Sequence, residues 1–255
     1  MTGKGDAQAA LASPPREEEA SKGMRTRRRI VGHATLLIYA KGYARTTIDD
    51  VIRAAGITKG SFYFHFSSKE ELGYAVIENA SSHILGRLRE ALGRQDLTPS
   101  GRIEAMLREV QSIVEAADCS RGCILGNLAL ETSNSHPGFR EAIARAFRDW
   151  SALIASELEG MKEAGELPAG FDSAAYADFA VSALEGGIMM SKVALDPGPM
   201  RNSIALILEH FRMLSGTGVP GKAGRGGKRE AAGTAPTGAR RAARGEGPRP
   251  RNAKR

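Results

Sequence analysis

Between Thr58 and Lys69 the chain places Lys59, Gly60, Ser61, Tyr63 and His65 on what reads as one short helix. These residues bring hydrogen-bond donors and, at the glycine, a point of close backbone approach. Phe62 and Phe66 are left to anchor the opposite side. The chemistry on offer is recognition of a polar surface, not bond-making. No Gly-rich phosphate loop, nucleophile motif or paired-histidine metal signature occurs. His33, His65, His83, His136 and His210 are scattered. An enzyme, a bound metal and an organic cofactor are therefore not expected.

Three further groups invite chemistry. Cys119 and Cys123 are four residues apart, too few ligands for zinc, which takes about four. Cys123 reads as a small buried thiol at a helix start. The alternative is an electrophile or redox sensor, because a helix N-terminus and Arg121 would lower a thiol pKa. Asn127 and Glu131 stand one turn apart on a mostly apolar helix, and Glu185 sits among small apolar residues. With Cys123, and with Met106, Trp150 and Met189 as wall, they form a candidate pocket of the mostly apolar kind that binds small molecules. The competing role for the polar groups is to cap neighbours or to lie at a dimer seam.

The elements that must position these residues follow from periodicity and caps. From Met24 to Gly42 a helix carries Ile30, Ala34, Leu37 and Ile38 on one face and Arg25, Arg27, Arg28 and Arg29 in its first turns. Ile48, Val51, Ile52 and Ala55 make the stripe of a helix from about Thr47, and Gly56 suits a left-handed stop. Thr58 can cap the next helix. Ser68, with Glu71 three residues on, reads as a capping box opening a long helix over Lys69–Leu92. Further helices are expected over Arg102–Ala117, Cys123–Thr132, Phe139–Leu158, Ser173–Leu195 and Met200–Leu214. The fold class is all-α, with about nine helices, and no β-type alternation is seen.

Charge divides the chain: net −1 over residues 1–23, +7 over 24–69, −8 over 70–215 and +9 over 216–255. A basic head, an acidic body and a basic tail imply that only parts of the chain meet a polyanion. The expected domains are a disordered arm (1–23), a DNA-binding head (24–70), a body (71–215) and a disordered basic tail (216–255). Met24 offers a second candidate start of translation. No apolar run approaches the ~20 residues of a membrane helix. With two cysteines and no leader of the secretory type, a cytoplasmic protein is expected.

The strings Thr46-Thr47-Ile48, Ala54-Ala55-Gly56-Ile57-Thr58-Lys59-Gly60-Ser61-Phe62-Tyr63-Phe64-His65-Phe66 and Ser68-Lys69-Glu70-Glu71-Leu72 resemble the DNA-binding domain of the TetR family of transcriptional regulators. The resemblance covers about residues 25–75. It implies a homodimer whose subunits join three N-terminal DNA-binding helices to a body for a small ligand and for dimerisation. It places Thr58 to Phe64 as the recognition helix, with Lys59, Gly60 and Ser61 at base edges. Thr46, Thr47, Tyr63, His65 and Lys69 then fall on phosphate-holding positions. His65 has a competing role as a packed histidine. Residues 122–131 and Ala183 to Ile188 look like body segments of the family, whose last two helices form a dimeric four-helix bundle. The expected function is a ligand-responsive repressor that binds a palindromic double-stranded DNA operator as a dimer and is released by a small molecule. The long helix would carry the signal. The alternative is a non-specific architectural DNA-binding protein that uses the basic tail.

Overall fold

The computed structural model describes residues 17–214, in which all regular structure is helical. Nine helices follow in order: α1 (Glu17–Lys41), α2 (Ile48–Ala55), α3 (Lys59–His65), α4 (Lys69–Leu92), α5 (Pro99–Glu115), α6 (Ile124–Thr132), α7 (Pro137–Glu163), α8 (Ser173–Ala194) and α9 (Gly198–Leu214). The first sixteen residues and the basic tail after Leu214 lie outside the described residues.

Local chemistry sets the short N-terminal elements. Thr47 caps α2 in a complete capping box with Asp50, and Gly56 ends it in the left-handed region at φ 60°. The Thr58 hydroxyl accepts from Ser61 N at 3.1 Å and opens α3. A helix of seven residues cannot hold itself in water. Phe62 is completely buried, against Phe66 with ring centroids 5.9 Å apart, and that packing fixes α3. Ile30, Ala34 and Ile38 of α1, Val51 and Ala55 of α2, and Leu72 and Val76 of α4 complete the small core of the head.

Several boundaries differ from the sequence expectation. α1 starts at Glu17, seven residues before Met24, so the arginine cluster sits within the helix and not at its N-terminus. α5 starts at Pro99, not Arg102; proline fits the first helical position because its missing N–H has no partner to lose there. Pro137 opens α7 for the same reason. Ser68 caps α4 as expected, but the Glu71 carboxylate reaches back to Ser67, whose N and Oγ both donate to it at 2.7 Å.

The body buries one long stripe of α7 (Phe139, Ile143, Trp150, Ile154 and Leu158) against α4, α5 and α8. Phe147, four residues after Ile143 and three before Trp150, is only half-buried. α4 and α7 meet in two tight notches. A Cβ on Gly73 would lie 2.3 Å from the Phe139 ring, and one on Gly138 would lie 1.8 Å from the Tyr74 hydroxyl. α8 and α9 also approach closely, since a Cβ on Gly187 would lie 3.0 Å from Met200 Cα. No described helix is long and apolar enough to cross a membrane.

Candidate nucleic-acid interface and ligand cavity

The head presents α3 to solvent. Thr58, Lys59, Gly60, Tyr63 and Phe64 are exposed, and Ser61 and His65 are half-exposed. Phe64 is 83% exposed, an unusual state for a large aromatic side chain, and the sequence reading passed over it. Its signal was present, because buried Phe62 and Phe66 leave the residue between them pointing away. Arg27 stacks its guanidinium 5.0 Å from the centre of the Phe66 ring, which brings the basic stretch of α1 alongside α3. Burial, and then the neighbouring Arg27, lower the His65 pKa, which favours the neutral, hydrogen-bonding ring.

Two of the residues matched to phosphate contacts have other work in this structure. Thr46 is buried; its hydroxyl donates to Gly42 O at 2.7 Å and its N–H to Tyr43 O at 3.1 Å, so it has no donor left for a phosphate. Lys69 donates to Ala44 O at 3.0 Å and lies 4.4 Å from the centre of the Tyr43 ring. Burial lowers its pKa. Thr47 is exposed, with its hydroxyl engaged by Asp50 in the α2 cap.

The body contains a cavity of about 740 Å³ between α6, α7 and α8. Leu130, Phe147, Val181, Ile188 and Met189 make its apolar wall. Of the residues singled out from sequence, Cys123, Asn127, Glu185 and Met189 line it. Glu131, Met106 and Trp150 do not. Glu131 leaves the cavity for the head, where it accepts backbone N–H groups from Tyr43 and Ala44. Met106 is completely buried in the core. Trp150 lines a separate inner cavity of about 50 Å³, and its Nε1 is buried without a hydrogen-bond partner. Cys123 belongs to the walls of both cavities. Asn127 bridges the mouth, accepting from Lys192 Nζ at 3.1 Å and donating to Arg121 O at 3.0 Å.

The floor carries the unusual electrostatics. Glu185 Oε1 is buried with no hydrogen-bond partner. Burial pushes this carboxyl up to about 7, against a smaller opposing effect of its hydrogen bond with the Cys123 thiol. Cys123 is the small buried thiol at a helix start that its sequence suggests, and the alternative of a reactive thiolate finds no support. Burial and the adjacent Glu185 drive the Cys123 thiol well up, which outweighs the helix N-terminus it caps through Gly126 N at 3.5 Å. Among the described residues no group of acidic, histidine and cysteine side chains could hold a metal ion.

Glu185 makes stability depend on pH. The unfolded chain releases this proton near 4.5 and the folded chain near 7, so the folded state holds the extra proton between those values. Its contribution is greatest below 4.5 and is lost as pH rises through about 7, a fall of up to about 3 kcal/mol. Glu185→Gln should flatten the difference in unfolding free energy between pH 5 and pH 8, read by denaturant titration. Equal slopes for parent and variant would remove Glu185 as the cause.

A basic helix-turn-helix head on an acidic, cavity-bearing helical body defines a DNA-binding regulator. Comparison with known proteins agrees. Residues 30–76 match the model of bacterial regulatory proteins of the tetR family, and residues 99–207 match a tetracyclin repressor-like C-terminal domain. The chain is 30% identical over 171 residues to the transcriptional regulator AcuR of Cereibacter sphaeroides, covering 67% of this chain and 78% of that protein. It is 26% identical to the HTH-type transcriptional repressor DhaR of a Mycobacterium species, covering 72% of this chain and 90% of that protein. A crystal structure of the regulatory protein TetR from Rhodobacter sphaeroides superposes with TM-score 0.68 at 27% identity, over 72% of this chain and 98% of that one. The chain belongs to the TetR family of transcriptional regulators.

Proposed function

We propose that the protein is a cytoplasmic repressor that binds a palindromic operator as a homodimer and is released when a small, largely apolar molecule occupies the α6–α7–α8 cavity. The observation that carries this reading is the cavity itself, apolar on its walls with Glu185, Asn127 and Lys192 as polar anchors. A body built only to dimerise has no use for such a space. In the dimer, two copies of α3 enter successive major grooves about 34 Å apart. Lys59 and Ser61 face base edges, Gly60 permits close approach, Tyr63 and His65 donate to phosphates, and Phe64 lies against the bases as an apolar contact. Exposed Phe179, Met190 and Val193 on α8 and Leu206 and Met213 on α9 supply the dimer seam. For release, the ligand must bind the non-binding conformation better; affinity alone shifts nothing.

Footprinting the full chain on the DNA flanking its own gene tests the reading, and protection of no discrete segment would sink it. Within a footprinted operator, Lys59→Ala should cost about 1–3 kcal/mol and relax preference at one base position in each half-site. Tyr63→Phe should weaken all sequences alike. Identical base preference in the Lys59→Ala variant would mean that α3 docks in another register.

A further inference from the structure

The turn between α1 and α2 is held from the body by one side chain. Glu131, in the last turn of α6, accepts the Tyr43 N–H at 2.8 Å on Oε2 and the Ala44 N–H at 2.7 Å on Oε1. Successive backbone N–H groups facing one anion form a small nest that suits a carboxylate. The turn is shaped around this contact. Gly42 sits at φ +82°, a conformation that favours glycine, and a Cβ there would lie 3.0 Å from both carboxylate oxygens. Lys69 grips the same turn from α4 through Ala44 O and the Tyr43 ring. His136 and Phe139 pack on that ring from the α7 side, with centroids 5.5 Å and 5.1 Å away.

The turn leads directly into the DNA-facing elements. Thr46 ties back to Gly42, Thr47 caps α2, and α2 leads through Gly56 to α3. At the other end of the contact, α6 is a single nine-residue helix. Its residues Gly126, Asn127, Ala129 and Leu130 line the large cavity. The cavity wall and the carboxylate that grips the head are therefore parts of one rigid element, and a shift of that wall moves the grip.

We propose that Glu131 is a positioning residue for DNA binding: its carboxylate holds the α1–α2 turn, and through it the orientation of α2 and α3, against the cavity wall. This rests on the DNA-binding reading above. The role does not reduce to stability. Glu131 is exposed and contributes nothing to the apolar core. A carboxylate is needed because each of its two oxygens takes one N–H, whereas an amide has one acceptor oxygen.

The test uses the full chain, its Glu131→Ala and Glu131→Gln variants, and the duplex that the parent enriches from a random-sequence pool. In Glu131→Ala, the Tyr43 and Ala44 amide protons should exchange about tenfold faster or more, as expected for loss of charge-assisted hydrogen bonds. Affinity for the enriched duplex should fall about tenfold, within the range of coupling between sites. The melting temperature should stay within a few degrees. Glu131→Gln should recover part of both losses. Unchanged exchange and affinity in Glu131→Ala would overturn the proposal. So would a loss of affinity that tracks a large fall in melting temperature, with no recovery in Glu131→Gln. A parent that enriches no sequence would overturn the DNA-binding reading, and this role with it, whatever the exchange rates show.

Discussion

Phe62→Ala is expected to abolish sequence-specific DNA binding while most of the chain stays folded. Phe62 is the only buried residue of α3, and it is completely enclosed. Removing such a ring costs about 3–5 kcal/mol through lost burial and the cavity left behind. A seven-residue helix has no intrinsic stability to offset that loss. The damage should stay local, because the body has its own stripe of buried residues along α7 and α8. Far-UV circular dichroism should therefore drop only slightly, while footprinting at moderate salt shows no protected segment. Protection equal to that of the parent would mean that α3 is oriented by something other than Phe62.

The second large effect concerns assembly. Met190→Asp combined with Leu206→Asp should give a monomer by sedimentation. Both side chains are more than half exposed in the isolated subunit, at 54% and 64%, so the subunit fold should survive their replacement. Phe179, Val193 and Met213 are further exposed large apolar side chains on the same two helices. Burying four new carboxylates, two from each copy, in an apolar seam is strongly unfavourable. Operator affinity should then fall about a hundredfold or more, because the second head no longer benefits from tethering to the first. A double variant that still sediments as a dimer would move the seam away from this face of α8 and α9.

Elements whose cause is local were legible in the sequence. Gly56 ends α2, and Thr58 and Ser68 open α3 and α4, through caps that act within a few residues, and those bounds match the structure. The apolar spacing along α7 was equally readable, although Phe147 turns partly to the cavity where the stripe drifts around the helix. Contacts that depend on distant segments were not legible. Nothing near Glu131 announces that its partners are Tyr43 and Ala44, 88 and 87 residues away. Asn127 and Glu131 share a face by spacing, yet one faces the cavity mouth and the other the head, because α6 ends where the α1–α2 turn passes. For Cys123 the sequence reading of a buried thiol at a helix start holds, but what decides against the thiolate alternative, burial beside Glu185, is tertiary and could not be read from Arg121 and the helix end. Thr46 looked like a phosphate ligand by position, but Gly42 O engages its hydroxyl.

The glycine notches between α4 and α7 bear on how force can travel. With Phe139 seated on Gly73 and the Tyr74 hydroxyl seated on Gly138, α4 cannot slide along α7 without climbing out of both notches. It can only tilt about them. The pivot lies four residues from the head end of α4 and 19 residues from Leu92, giving arms of about 6 Å and about 28 Å. As a balance beam with such unequal arms, a tilt there would gear motion down: a displacement at the far end would arrive at Lys69 reduced about fivefold by the ratio of the two arms. On this geometry a signal carried by the long helix would be damped, whereas the reach of α6 onto the α1–α2 turn is direct.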